Sequence, residues 1–226
     1  MHMKTRERRT GLGLDRRAFS SLLAAGALTT LPACTRDNSA HVPPRPAKDL
    51  TVMVIRHAEK PDPTHPGIDE RLRPDPKSLT ARGWDRARKL PGLFNTTGKQ
   101  GPGLPAPAAI FAAAATGPQG GARRHRQTVE PLAEQLGVEV DTRYARSQER
   151  ELARAVVDGG ASPVLVCWQH KSIPAVVRAL GAAEAAGVPR KWPKGRFDLV
   201  WVFEYGVAEK AWAFRAVDQG LLEGDE

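Results

Sequence analysis

Cysteine is almost absent. Cys34 and Cys167 are the only two in 226 residues, so no intrachain disulfide framework is available to staple the chain. Aromatic residues make up 6%, and no strip of interleaved basic and aromatic side chains is present, which argues against a nucleic-acid binder despite the basic composition. Long hydrophobic runs are missing too. The run Leu22–Leu28 is too short for a permanent membrane span, and a polytopic membrane protein is excluded. No internal repeat is visible. What is plentiful is glycine and proline, 21 and 19 residues, which predicts long turns or a flexible arm.

Positive charge is the other excess. The chain carries +9 with a pI near 10, a balance that implies an anionic partner. The first 34 residues hold six cations (Lys4, Arg6, Arg8, Arg9, Arg16, Arg17) against Glu7 and Asp15, so nearly half of the excess sits in a segment that reads as an address. A basic start leads through Arg16-Arg17-Ala18-Phe19 into Leu22–Leu28, the order of a cleaved export signal. The arginine pair followed by Phe resembles the twin-arginine signal, which is read by a receptor. Leu31-Pro32-Ala33-Cys34 resembles a bacterial lipobox, in which Cys34 becomes lipidated and forms the new N-terminus; plain cleavage after Ala33 is the alternative. Residues 1–33 are thus expected to be an export signal and 34–48, with three prolines and no apolar period, a flexible tether. Residues 49–226 form the domain. The protein is expected in the cell envelope, anchored to the membrane if Cys34 is acylated.

The domain alternates strand-like and helix-like segments. Leu50–Ile55 is a β-branched run without polar alternation, as in a strand covered on both faces. Helices are predicted over 79–94, with Thr80 as N-cap, over 123–136, stopped by Gly137, over 149–157 and over 174–180. Strands are predicted at 109–114, 138–140 and 162–169, and a late pair at 197–205 and 211–217. Cys167 falls in the apolar run Val164–Trp168 and reads as a buried strand residue. The alternation implies a three-layer α/β/α domain around a mostly parallel sheet that ends in the late strand pair. In such sheets ligands gather at the carboxyl ends of strands. Arg56 and His57 stand at the end of the first strand and His170 at the end of the central one. Arg123 and Arg124 open the helix after the second. Two imidazoles and two or three guanidiniums therefore meet on one rim. His57, His65, His125 and His170 have no recognised metal-ligand spacing, and no metal or other cofactor is expected.

These residues resemble the histidine phosphatase superfamily, the phosphoglycerate mutase-like fold. Arg56-His57-Ala58-Glu59-Lys60-Pro61 is similar to its opening signature in small bacterial members. Leu79-Thr80-Ala81-Arg82-Gly83 resembles the start of the following helix. Arg124 and Thr128 have the spacing of the second pocket arginine, favouring Arg124 over Arg123, and Val164–His170 resembles the strand carrying the second histidine. Ala58 and Gln169 stand where members often have glycine, and the Ser-Pro before the second arginine is replaced by residues 116–121.

The resemblance implies a role for each residue. His57 would attack phosphorus and carry a transient phosphohistidine, while Arg56, Arg124 and His170 would surround the phosphoryl oxygens. Arg56 and Arg124 are expected to depress the His57 pKa by like-charge repulsion. Glu149, Glu59 and His170 are alternatives for the general acid. The implied protein is an exported, metal-independent phosphomonoesterase acting on a phosphorylated small molecule or phosphopeptide. A non-catalytic anion-binding lipoprotein and a mutase-like phosphotransferase are the alternatives. Loops 61–78, 95–108 and 181–196 are expected to contact the substrate.

Overall fold

The computed structural model describes residues 42–94, 104–115 and 121–225. The expected export signal, Cys34, the first part of the tether and residues 95–103 and 116–120 lie outside the described residues. Among those described, no helix is long and apolar enough to cross a membrane.

The described residues form a six-stranded sheet in the order β3-β2-β4-β1-β5-β6. Its strands are β1 (Leu50–Arg56), β2 (Ala109–Ala112), β3 (Val140–Asp141), β4 (Val164–Trp168), β5 (Leu199–Gly206) and β6 (Ala211–Asp218). The β3–β2, β2–β4 and β4–β1 ladders are parallel, whereas β5 runs antiparallel to both β1 and β6. This is the mostly parallel sheet with a late strand pair that the sequence implied, and the antiparallel direction of β5 is new.

Successive strand side chains point to opposite faces, and both faces are covered. Val52, Val54, Val164, Val166, Trp201 and Phe203 join helices α3 (Glu149–Asp158) and α4 (Ile173–Leu180) in one core. Met53, Ile55, Leu165, Cys167, Val200 and Val202 face helix α2 (Arg124–Leu136) and a 3-10 turn at Leu90–Phe94. Two-sided burial explains why β1 and β4 lack polar alternation. Helix α1 (Ala81–Lys89) is capped by Thr80, whose hydroxyl accepts from the Gly83 N–H, and α2 ends at Gly137 with φ 66°.

Gly83 has a second task. A Cβ there would lie 2.6 Å from the Glu59 carbonyl oxygen, so only glycine lets α1 rest on the backbone just after β1. The Thr80 N–H donates to the same carbonyl. Helix α1 is thereby locked to the segment that follows the strand end.

The expected tether departs from a free arm over its last residues. Pro46 is buried, and a Cβ at Gly181, the left-handed cap of α4, would come 2.9 Å from Pro43. Proline rings are apolar enough to pack here, so contacts with the domain are already made before residue 49.

Candidate active site

Parallel pairing of β1 with β4 sets Arg56 opposite Trp168, and the His57 N–H donates to the Trp168 carbonyl. His57 is 4% exposed. Its Nδ1 lies 2.7 Å from the Ala58 carbonyl oxygen. A carbonyl only accepts, so Nδ1 carries the ring proton and Nε2 keeps its lone pair. The His57 pKa is pushed well below the ordinary histidine value, first by burial and next by His125, with Arg56 and Arg124 contributing less; the Ala58 carbonyl pulls the other way. The direction matches the expectation, but desolvation rather than the arginines is the main cause.

Thr128 supplies the physical reason for the arginine–threonine spacing. Its hydroxyl donates to the Arg124 carbonyl one turn back (2.6 Å) and accepts from the Ala58 N–H (2.9 Å). One side chain thus pins the first turn of α2 against the residue after His57. Arg124 is held by the Pro76 carbonyl through Nη1 (3.0 Å), while its buried Nε has no partner. Arg123 points elsewhere and forms an ion pair with Asp75. The adjacent arginines therefore take different partners, Arg124 the Pro76 carbonyl and Arg123 the Asp75 carboxylate.

Arg56 is 5% exposed and stacks its guanidinium on Phe197, 3.7 Å from the ring centroid. Its Nη1 donates to the Arg196 carbonyl, which also accepts from Trp192 Nε1. Burial lowers its pKa to about 10, so it remains a cation at neutral pH. His170 follows β4, and its pKa is lowered by partial burial and then by Arg56, Lys171 and Lys60. Arg56 Nε, Arg124 Nε, His170 Nδ1 and both ring nitrogens of His125 are buried without a hydrogen-bond partner among the described residues. Buried polar nitrogens are rarely left so, and guanidinium donors of this kind suit the oxygens of an anion.

Sequence reasoning missed two groups. His125 is 7% exposed and sits edge-on to His57, with ring centroids 5.0 Å apart; burial and Arg124 lower its pKa to about 4. Its position directly after Arg124 was the available signal. Phe197 was invisible because it reaches the rim only through the reversed direction of β5, which brings the start of that strand beside the end of β1.

The proposed acids are placed as follows. Glu149 accepts from Trp168 Nε1 (3.1 Å) and from the Ser147 N–H, which makes it a strut under β4. Glu59 is held by Arg86 and Arg82, and Arg86 also binds Asp225. A cavity of about 1180 Å³ opens beside Arg56, His170 and Phe197, walled by residues from 59–68, 80–82, 170–174 and 191–197. Loops 61–78 and 181–196 contribute to it in part. From 95–108, Leu104 instead packs into the core under α2. No three His, Cys, Asp or Glu side chains among the described residues converge as a metal site.

A strand-end imidazole whose Nδ1 is committed to the Ala58 carbonyl, a second histidine and two arginines thus stand at the carboxyl edge of a three-layer α/β sheet. No protein-family model and no curated protein matches the chain. Solved structures do match, over about three quarters of its length. An Escherichia coli K-12 protein provisionally assigned as an alpha-ribazole-5'-P phosphatase is 15% identical, with 75% of this chain and 96% of that chain covered and a TM-score of 0.45. A mycobacterial glucosyl-3-phosphoglycerate phosphatase is 15% identical over 76% and 98%, with a TM-score of 0.42. At these values the likeness carries no argument about activity, which rests on the pocket residues.

Proposed function

We propose that this protein is an exported, metal-independent phosphomonoesterase that works through a phosphohistidine on His57. The observation that carries the reading is the Nδ1–Ala58 hydrogen bond. It fixes the tautomer whose Nε2 is nucleophilic, and it does so beside unpaired nitrogens of Arg56, Arg124 and His170.

The chemistry runs in two displacements. The Nε2 lone pair forms the P–N bond as the P–O ester bond breaks, and the departing oxygen leaves with a proton. Water then attacks phosphorus and gives its proton to the group that protonated the departing oxygen, the P–N bond breaks, and Nε2 regains its lone pair. Throughout, Nδ1–H donates to the Ala58 carbonyl, which offsets the positive charge the ring acquires. Arg56 and Arg124 face the equatorial oxygens, where phosphoryl transfer concentrates charge. With Glu59 and Glu149 engaged elsewhere, His170 is the candidate proton donor; a bound phosphate dianion raises the pKa of a neighbouring imidazole. A low His57 pKa keeps the nucleophile neutral in mild acid, which suits an envelope enzyme. The substrate is a phosphorylated small molecule or phosphopeptide.

The test is a screen of phosphate esters with purified protein in the presence of chelator. Turnover should persist, and vanadate should inhibit competitively because it mimics five-coordinate phosphorus. Activity lost to chelator and restored by a divalent ion would overturn the mechanism.

A further inference from the structure

The cavity beside the pocket is far larger than a phosphoryl group requires, and its charge is unbalanced. Its volume of about 1180 Å³ is that of a site for a whole small molecule. Arg56, itself buried, is part of its wall. Pro61, Ile68, Pro174 and Trp192 make much of that wall apolar. Four lysines then reach it from three separate loops: Lys60 after β1, Lys171 after β4, and Lys191 and Lys194 before β5. All four are exposed, and none makes an ion pair among the described residues.

The carboxylates of the same lining do not answer this charge. Glu59 is bound by Arg82 and Arg86. Asp62 is turned inward on its own loop, accepting from the Thr64 hydroxyl and the Thr64 and His65 backbone N–H groups. Six cations, Arg56, Arg82 and the four lysines, therefore stand against two engaged carboxylates. A phosphate monoester dianion held by Arg56, Arg124 and His170 leaves the lysine rim unanswered. Such a one-signed rim over low-dielectric walls concentrates anions.

We infer that the substrate is a phosphomonoester with an apolar body and a second anionic group, a carboxylate or another phosphate, at the end remote from the scissile phosphate. Lys171, Lys191 and Lys194 are its specificity determinants. The inference rests on the phosphomonoesterase reading, and the two fail in different ways.

The discriminating probes are 4-ethylphenyl phosphate and 4-(2-carboxyethyl)phenyl phosphate, which share an apolar body and nearly the same leaving-group acidity but differ in one remote charge. Wild-type protein should favour the carboxylated probe in kcat/KM by about tenfold or more at low salt. That preference should shrink as salt is raised, because exposed charges are screened. In the Lys171→Gln/Lys191→Gln/Lys194→Gln variant the ratio should fall towards unity, and replacement of the same three by Glu should invert it. Equal kcat/KM for the two probes in wild type, or a preference that survives in the triple variant, overturns the inference while leaving the phosphatase standing. If neither probe turns over, the phosphatase reading fails. Calorimetry with the two matching aryl phosphonates then decides the rim: tighter binding of the carboxylated one, lost in the triple variant, supports it, and equal binding overturns it.

Discussion

Arg123 and Arg124 are neighbours in sequence with the same side chain, and the structure assigns them opposite consequences on truncation. Arg123 makes one ion pair, with Asp75, and is half exposed. Pairs of this kind contribute about 0–1 kcal/mol, and Asp75 keeps its other partners, Ser78 and the Lys77 N–H. Arg123→Ala should therefore leave kcat/KM within a few-fold of wild type. Arg124 opens α2, where its cation is joined by the positive end of the helix dipole. Among the described residues its side chain makes one hydrogen bond, from Nη1 to the Pro76 carbonyl, and its buried Nε is unpaired. Removing a preorganised charge from such a place costs about 2.7–4 kcal/mol of transition-state stabilisation, or about 100- to 1000-fold in kcat/KM. Because the lost contact is to the transferring group, the loss should fall on kcat with both probes equally, with thermal midpoints close to wild type. The assay is steady-state kinetics on both aryl phosphates for the two variants side by side. Equal losses, or a larger loss for Arg123→Ala, would refute the assignment of the pocket arginine.

Three further outcomes are expected. His57→Ala should abolish turnover while preserving the circular-dichroism spectrum, and wild-type protein quenched in base during turnover should carry acid-labile phosphate on His57; detection of that phosphate on another residue would move the nucleophile. His125 is neutral when folded, with a pKa near 4 against about 6.5 unfolded, so the unfolded chain takes up a proton first as pH falls. Stability present above pH 6.5 should drop by roughly 3 kcal/mol on reaching pH 4, and denaturant titrations of His125→Ala should show a shallower pH slope; an unchanged slope would mean that His125 titrates normally. In the cell, Arg16→Lys with Arg17→Lys should trap the precursor inside, and Cys34→Ala should end incorporation of labelled fatty acid, whereas normal export or labelling of these variants would remove the twin-arginine or lipobox reading.

The sheet was readable because two-sided burial leaves a plain mark: Val52–Ile55 and Val164–Cys167 have no polar alternation. Polar residues directly after such runs must lie at a strand end, which placed Arg56, His57 and His170. Arg124 was legible through Thr128, since a hydroxyl one turn on is what clamps the helix start to Ala58. Strand direction left no such mark. Leu199–Gly206 is as apolar as a parallel strand would be, so nothing in it foretold the approach of Phe197 and the Arg196 carbonyl to Arg56. Glu149 looked like an acid because it falls between the pocket arginine and the second histidine; its bond to the Trp168 indole depends on the packing of α3 beneath β4, a contact no local spacing encodes.

The place of β1 in the sheet has a consequence for how the molecule is made. It lies between β4 and β5, both synthesised more than a hundred residues after it. A chain leaving the ribosome therefore presents Leu-Thr-Val-Met-Val-Ile long before either neighbour exists, an unpaired apolar edge of the kind that aggregates. Non-local pairing of this order also slows folding. Fragments ending after α4 would lack β5 and leave β1 open on one side. His57 at its tip is thus among the first pocket residues to be synthesised, but its strand is enclosed only once β5 is in place.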